Sequence, residues 1–214
     1  MPVAAKICGL STGEAVAAAV AGGAAYVGFV FYPPSPRAVT PAEAAALCAA
    51  VPAGVERVGL FVDADDAAIA AVLAAAPLDL LQFHGHETPD RVAEARFRFG
   101  RPVIKALAIS GPEDLIAAAG YEDAADLLLF DAKPPCRQDA LPGGNGLAFD
   151  WRLIAGRRWR GPWMLSGGLT AELLPQAVRI SGAAAVDVSS GVEASPGNKD
   201  PAKIRAFLAA ARAL

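Results

Sequence analysis

Cysteine and histidine, which often hold structural metal ions in proteins, are scarce in this sequence. Only three cysteines and two histidines occur among 214 residues, and no two cysteines form a CxxC pair. A zinc framework needs several such ligands at short spacing, and a disulfide framework needs paired thiols. The composition therefore argues against both frameworks and indicates a reducing, cytoplasmic location.

Positive charge and aromatic side chains are also sparse. The formal net charge is −3, aromatic residues make up 7% of the chain, and no basic run is longer than the pair Arg157 and Arg158. A nucleic-acid-binding domain would carry a basic patch or stripe. We therefore expect no nucleic-acid partner.

Charge is absent altogether from residues 15–36, a stretch long enough to suggest a membrane span. However, Gly22 and Gly23 divide it, and residues 26–31 have the Val- and Phe-rich character of a strand. A signal peptide would need a basic start and a clear cleavage site, which this stretch does not provide. We therefore expect a helix, a turn and a buried strand here, and no membrane partner.

Apolar segments rich in Val, Ile, Leu and Phe recur at intervals of roughly 20–30 residues, each followed by an Ala-rich segment typical of a helix. The predicted strands start near Val3, Ala25, Val55, Leu78, Pro102, Asp126, Trp163 and Ala184. The predicted helices cover residues 14–21, 41–50, 65–75, 89–99, 112–119, 149–155, 171–180 and 201–213.

Eight strand–helix units in a chain of this length predict an α/β fold, a single-domain (β/α)8 TIM barrel over residues 1–214. Near-continuous apolar strands agree with it, because helices cover a parallel sheet on its outer face. A doubly wound open sheet is the alternative. It would normally have fewer strands, and no GxGxxG motif follows the first strand.

Barrel enzymes bind their substrates at the carboxyl ends of the strands, so the residues there are candidates for chemistry. Cys8 ends the first predicted strand, and Lys6 lies on the same face because side chains alternate along a strand. A nearby ammonium favours the thiolate form of cysteine. The sequence thus predicts a reactive Cys8 with a lowered pKa, and a small buried thiol is the alternative.

Asp131 ends the sixth strand after a run of apolar residues, where a carboxylate is costly unless it is paired or catalytic. An ion pair with Lys133 is the alternative to a catalytic role. The long Pro- and Gly-rich loop 132–147 that follows is a candidate cover for the active site. Cys136 lies in this loop, whereas Cys48 lies among alanines on the second helix and is expected to be packed.

Two other strand ends carry polar side chains that could bind substrate. Three prolines stiffen the loop before Arg37 and hold its guanidinium over the mouth, where it could bind a carboxylate or phosphate; an ordinary solvated arginine is the alternative. Gln82 and His84 share one face at the end of the fourth strand, so both could line the mouth. A rim histidine with a satisfied hydrogen bond is equally compatible with the pattern, and His86 is expected to be solvated.

Glycine and serine cluster after the seventh and eighth strands. In this fold the two loops there, with a short extra helix, often bind phosphate through backbone N–H groups. The sequence predicts such a site, with the short helix starting near Ser190, and ordinary tight turns are the alternative. The residues concerned are Gly167, Gly168, Asp187, Ser189, Ser190 and Gly191.

Taken together and in this order, these segments resemble the phosphoribosylanthranilate isomerase family of tryptophan biosynthesis. The matching segments are 6–9 (KICG), 35–37 (SPR), 81–85 (LQFHG), 130–131 (FD), 165–169 (LSGGL), 186–193 (VDVSSGVE), 195–197 (SPG) and 199–200 (KD). They cover nearly the whole chain. Phe83 is a mild departure, because a smaller aliphatic residue is common there in the family.

The resemblance implies a cofactor-free and metal-free Amadori rearrangement of N-(5-phosphoribosyl)anthranilate to the 1-deoxyribulose phosphate. It implies Asp131 as the general acid, Cys8 as the general base and Arg37 as the group that binds the anthranilate carboxylate. By the same resemblance, Gly167, Gly168, Ser189, Ser190 and Gly191 hold the phosphate, with Asp187 near the sugar. We also count His84 as a substrate-binding candidate, from its position at the end of the fourth strand. The family includes both monomers and homodimers.

Three other interpretations remain open at this point. The first is a lyase or synthase acting on a related phosphorylated sugar, for which Lys105 could be catalytic; the start of the first strand near Val3 and a role for Lys105 as charge partner of Asp131 or Asp187 speak against it. The second is a phosphate-binding paralogue without activity. The third is an isomerase that also accepts the histidine-pathway aminoaldose, where an acidic residue would be expected in place of Cys8.

Overall fold

The structure, a computed structural model, describes residues 2–133 and 141–214. Eight parallel strands pair in sequence order and close into a barrel, β1 against β8, which confirms the (β/α)8 prediction. They are β1 Ala4–Cys8, β2 Tyr26–Val30, β3 Glu56–Phe61, β4 Leu80–Phe83, β5 Val103–Ile109, β6 Leu127–Ala132, β7 Trp163–Leu165 and β8 Ala185–Val188. Two further short strands, β9 Glu193–Ser195 and β10 Asn198–Lys199, pair antiparallel after β8.

Seven α-helices accompany the barrel in the described part of the chain: α1 Gly13–Ala21, α2 Pro41–Cys48, α3 Asp66–Ala75, α4 Pro89–Phe99, α5 Pro112–Ala119, α6 Leu174–Ser181 and α7 Pro201–Arg212. The sequence specifies several of their starts. Thr40 accepts a hydrogen bond from the backbone N–H of Glu43, whose carboxylate binds back to Thr40, and Pro41 occupies the first helical position. Asp200 caps α7 before Pro201 in a similar way.

The expected helix at 149–155 was wrong, because the segment forms only a short 3₁₀ helix, Trp151–Leu153. Asp150 accepts the first backbone N–H at one end, and Gly156 adopts a left-handed backbone just beyond the other end. Too few residues remain between these two signals for a regular α-helix. No helix in the described ranges is both long and apolar enough to cross a membrane.

Side-chain alternation in the strands separates the interior of the barrel from its outer core. An apolar layer fills the barrel with Val58, Ile104, Ala106, Leu127, Leu129 and Met164. Alternate residues of the same strands point outward into the core that surrounds the barrel, where Phe130 packs against Trp159 and Trp163. Above the apolar layer, the last inward position of several strands is polar, and this layer forms the floor of the site.

Candidate active site

A cavity opens at the carboxyl ends of the barrel strands and encloses about 740 Å³, including its open mouth. Ten of the site residues proposed from the sequence line this cavity: Cys8, Arg37, His84, Asp131, Gly167, Gly168, Asp187, Ser189, Ser190 and Gly191. The structure therefore brings the thiol on β1 and the carboxyl group on β6 to the same space.

The thiol of Cys8 lies close to the ammonium of Lys6. Both face Gly28 on β2: a Cβ at this glycine would come within 3.1 Å of Sγ and 3.3 Å of Nζ. Lys6 is fully buried, and its Nζ donates to Asp187 Oδ1 at 2.9 Å. The thiol, the ammonium and the carboxylate thus form one buried row across β1 and β8.

The expectation of a lowered pKa for Cys8 was wrong. Burial raises the pKa of the Cys8 thiol, and this effect exceeds the opposing influence of Lys6, which lowers the pKa as expected. Asp187 also raises it, because a carboxylate disfavours a nearby thiolate. A raised pKa favours the neutral thiol over the thiolate.

This raised pKa predicts that alkylation of Cys8 by iodoacetamide accelerates with pH through a midpoint above ~8.5, the ordinary value for cysteine. The rate should be measured by intact mass in a Cys48→Ser, Cys136→Ser background, so that only one thiol reacts. Lys6→Met should move the midpoint higher still, because it removes the group that favours the thiolate. A midpoint at or below the ordinary value, or one that Lys6→Met leaves unchanged, would contradict this description.

Asp131 is buried, and each of its oxygens has a neighbour. Oδ1 accepts the backbone N–H of Ala132 at 2.8 Å, and Oδ2 lies 3.4 Å from His84 Nε2. The alternative ion pair with Lys133 does not form, because the Lys133 ammonium lies 3.8 Å from Asp114 instead. Asp131 therefore faces the cavity with His84 as its polar neighbour.

Arg37 is not a solvated loop residue. It is only 5% exposed, and its Nε and Nη2 donate to the two oxygens of Glu193 at 2.7 and 3.0 Å. Nη2 also donates to the Gly144 carbonyl at 3.1 Å. A bidentate pair of this kind fixes the plane of the guanidinium at the cavity wall.

Lys199 shares the same carboxylate. Its Nζ donates to Glu193 Oε1 at 2.7 Å and to the carbonyl and hydroxyl of Ser189 at 2.9 and 3.1 Å. Burial lowers the pKa of Lys199, although Glu193 opposes the shift. Burial alone would raise the pKa of Glu193, but Arg37 and Lys199 together hold it below its ordinary value. Two cations around one carboxylate leave a positive excess beside the cavity.

Sequence reasoning assigned no role to Glu193 or Lys199, although both belong to matching segments. Both charged residues are visible in the sequence. The hairpin of β9 and β10 that brings them to Arg37 and Ser189 was not predicted. Without that hairpin, two charged residues six positions apart give no reason to place them at the site.

The loops after β7 and β8 bring backbone groups close to the cavity. Gly167 and Gly168 both have positive φ, and a Cβ at Gly168 would lie 2.8 Å from the Leu147 backbone. A side chain at either position would therefore strain the loop. A 3₁₀ helix, Ser190–Val192, starts at the serine where the sequence predicted a short extra helix.

The remaining sequence candidates lie in different surroundings. Gln82 is fully buried beneath His84 and is not part of the cavity lining, contrary to expectation. Cys48 is packed and His86 is solvated, as predicted. Cys136 lies outside the described residues, so the prediction for it is not tested, and the same holds for the part of the loop at 134–140.

Lys105 was expected to pair with Asp131 or Asp187, and this expectation was wrong. Its neighbours on β5, Ile104 and Ala106, point into the barrel, so Lys105 points outward. There its Nζ donates to Glu87 at 2.7 Å and to the Gly85 carbonyl at 2.8 Å. A lysine outside the barrel cannot reach the cavity, which removes the support for a lysine-dependent lyase.

Comparison with known proteins agrees with this geometry. The family described as N-(5'phosphoribosyl)anthranilate (PRA) isomerase matches residues 5–210. The chain belongs to this family. N-(5'-phosphoribosyl)anthranilate isomerase from Rhodospirillum centenum is 60% identical over 214 residues, with both chains fully covered. The enzyme of the same name from Paracoccus denitrificans is 59% identical over 213 residues, covering 100% of this chain and 99% of the relative.

Solved structures of family members have the same fold. Phosphoribosyl anthranilate isomerase from Thermotoga maritima superposes with a TM-score of 0.88 at 37% identity, over 99% of this chain and 100% of that one. A family structure in complex with reduced 1-(o-carboxyphenylamino)-1-deoxyribulose 5-phosphate has a TM-score of 0.85 at 36% identity, with the same coverage. That ligand belongs to the related protein, and it carries a carboxylate and a phosphate.

Proposed function

We propose that this protein converts N-(5-phosphoribosyl)anthranilate to 1-(2-carboxyphenylamino)-1-deoxyribulose 5-phosphate, the isomerase step of tryptophan biosynthesis. The observation that carries the proposal is the opening of Cys8 on β1 and Asp131 on β6 into one cavity. A thiol and a carboxyl group on separate strands can act as base and acid on one sugar between them.

Asp131 is the general acid of the first step. Its carboxyl proton goes to the ribose ring oxygen, and the bond between that oxygen and C1′ breaks with its electron pair on the oxygen. The nitrogen lone pair of the anthranilate group forms the C=N bond, which leaves an iminium. Asp131 suits this role because its carboxyl group faces the cavity from the end of β6.

Cys8 is the general base of the second step. The iminium acidifies the C2′ hydrogen, so the thiolate removes this proton and the C–H electrons form the C1′–C2′ double bond of an enolamine. The enolamine then gains a proton at C1′ and loses one from the C2′ hydroxyl, which yields the ketone. The positive charge of the iminium favours the thiolate, so the Cys8 thiol first releases its own proton to solvent and then acts as the base.

Substrate binding follows from the charges of the cavity. Arg37, held in plane by Glu193, would receive the anthranilate carboxylate in place of the Gly144 carbonyl that it binds here. The backbone groups of 167–168 and 189–191 would hold the phosphate, with Lys199 beside Ser189. Apolar side chains next to Cys8, Val30 and Leu60 among them, offer a surface for the aromatic ring.

The reaction as written needs no metal or cofactor, because each proton moves to or from a side chain or an atom of the substrate. We propose a cytoplasmic location, since the base must remain a free thiol and both cysteines in the described ranges are free. We take residues 1–214 as one barrel domain that is a monomer or a homodimer. A related structure is described as coming from dimeric phosphoribosylanthranilate isomerase of Thermotoga maritima.

A coupled fluorescence assay with the purified protein tests the proposal. We expect consumption of N-(5-phosphoribosyl)anthranilate and formation of the deoxyribulose phosphate without added metal, also after treatment with a chelator. Substrate that binds but is not converted would instead support a phosphate-binding paralogue. A product that has lost the carboxyl group would support the lyase or synthase alternative.

A further inference from the structure

We propose that His84 stores the proton that Asp131 delivers to the substrate, and that Gln82 positions the His84 ring for this purpose. The inference rests on the proposed function, because it concerns how the acid of that reaction is kept protonated. It differs from the substrate-binding role that the strand-end position of His84 suggested in the sequence.

The three side chains form a row from the barrel interior to the cavity. Gln82 on β4 is fully buried, and its Nε2 lies 3.3 Å from His84 Nδ1. On the other side of the ring, His84 Nε2 lies 3.4 Å from Asp131 Oδ2. Such distances are typical of free enzymes, in which catalytic hydrogen bonds shorten once substrate is bound.

The Gln82 amide can hydrogen-bond to the His84 ring in two of its protonation states. As placed, its NH2 group faces Nδ1, while Oε1 is buried and has no hydrogen-bond partner among the described residues. The amide oxygen and nitrogen are nearly equivalent in shape, so rotation of the amide by half a turn presents Oε1 to Nδ1 instead. In that orientation Oε1 accepts Nδ1–H, and the ring can carry a second proton on Nε2 toward Asp131.

The backbone at Gly143, in the loop after β6, lies over the contact between His84 and Asp131. A Cβ at Gly143 would come 2.6 Å from His84 Cε1 and 2.9 Å from Asp131 Oδ2. Only glycine allows the backbone to approach so closely. The cover limits the access of water to the two side chains, which favours proton transfer between them over exchange with solvent.

The other charged side chains around His84 and Asp131 form ion pairs with one another. Lys105 and Glu87, outside the barrel, are 2.7 Å apart, and Asp63 binds solvated His86. Across the cavity, Lys6 binds Asp187 and Arg37 binds Glu193. The titratable groups that line the cavity with His84 are Cys8, Tyr32, Arg37, Asp131 and Asp187. Within residues 2–133 and 141–214, Asp131 is thus the one carboxylate within ion-pair distance of the His84 ring.

A stored proton meets a chemical need of the first step. A carboxyl group in water keeps its proton only below about pH 4, whereas an imidazole keeps its second proton to about pH 6.5. In the stored state the imidazolium faces a carboxylate; Nε2–H passes to Oδ2, the N–H electron pair stays on the ring, and the carboxyl proton then moves to the ribose oxygen.

The pH dependence of turnover in His84→Gln tests the inference. Glutamine can still hydrogen-bond substrate and Asp131, but it cannot store a proton. We expect turnover at pH 7.5 to fall by about 10–100-fold, within the range of one acid–base contribution. We also expect the falling limb of the profile, where turnover declines as pH rises, to move at least one pH unit toward acid. Much of the lost turnover should then be recovered near pH 5.5, once the decay of substrate without enzyme has been subtracted.

Two further variants make the test specific. His86→Gln should retain the profile of the unmodified protein, since His86 is solvated. Gln82→Met should shift the falling limb in the same direction as His84→Gln but by less. In this variant the His84 ring still contacts Asp131 and loses only its hydrogen bond to the Gln82 amide. It also tests the inference if His84→Gln does not fold, which circular dichroism would reveal.

A loss of turnover that is equal at every pH, or a rise in KM alone, would overturn the inference and leave His84 as a substrate-binding residue. That result would not affect the proposed function, which requires only that the unmodified protein convert its substrate. Absence of conversion by the unmodified protein would instead refute the proposed function itself.

Discussion

Cys8→Ala is expected to lower kcat by at least ~10²–10⁴-fold while the barrel stays folded. The substitution removes the base that takes the C2′ proton, and the reaction then depends on water. Alanine fits the space of a small buried side chain, so the fold should tolerate the change. Steady-state turnover in the fluorescence assay, together with a thermal unfolding curve, checks the two parts of the expectation.

Cys48→Ser is the matched control for this variant, because Cys48 is also buried but lies on α2, outside the cavity lining. It should keep turnover within about twofold of the unmodified protein, because its side chain lies away from the reacting groups. Near-normal turnover of Cys8→Ala would remove Cys8 as the base, whatever the result of the control.

Asp131→Asn is expected to reduce kcat by a similar factor, at least ~10²–10⁴-fold, because an amide cannot donate a proton to the ribose oxygen. Asparagine has nearly the same shape and can still accept the Ala132 backbone N–H, so substrate binding should change far less than turnover. The measurement is kcat and KM determined separately across the pH range.

Asp123→Asn serves as the control for charge alone, since Asp123 is exposed and pairs only with Arg160 in the described part of the chain. Its turnover should equal that of the unmodified protein. If Asp131→Asn retained turnover, the acid of the first step would have to be another group. If its KM rose while kcat stayed constant, Asp131 would be a binding residue.

The sequence predicted the barrel because each strand signal is local: a short apolar segment and a capped helix after it. It also predicted which strand-end residues share the cavity, since Cys8 and Asp131 occupy the same kind of position at two strand ends. The 3₁₀ helix Trp151–Leu153 shows where such signals fail, because a cap and a left-handed glycine left too little room for the helix that propensity favoured.

Properties that depend on the balance of burial and charge could not be predicted from the sequence. The alternation rule placed Lys6 beside Cys8 correctly, but only the packed structure shows that burial exceeds the effect of Lys6 on the thiol pKa. Lys105 was misplaced because its inward or outward direction depends on the register of β5. Glu193 and Lys199 were missed because a short hairpin, rather than a strand end, carries them to the site.

The central claim is that one substrate lies between Cys8 and Asp131. A crystal structure of this protein with reduced 1-(o-carboxyphenylamino)-1-deoxyribulose 5-phosphate tests it most directly. We expect Sγ of Cys8 within about 3.5 Å of C2′ and a carboxyl oxygen of Asp131 within about 3.2 Å of the 4′-hydroxyl, the former ring oxygen. A ligand that contacts only one of the two side chains, or that binds outside the cavity, would contradict the account.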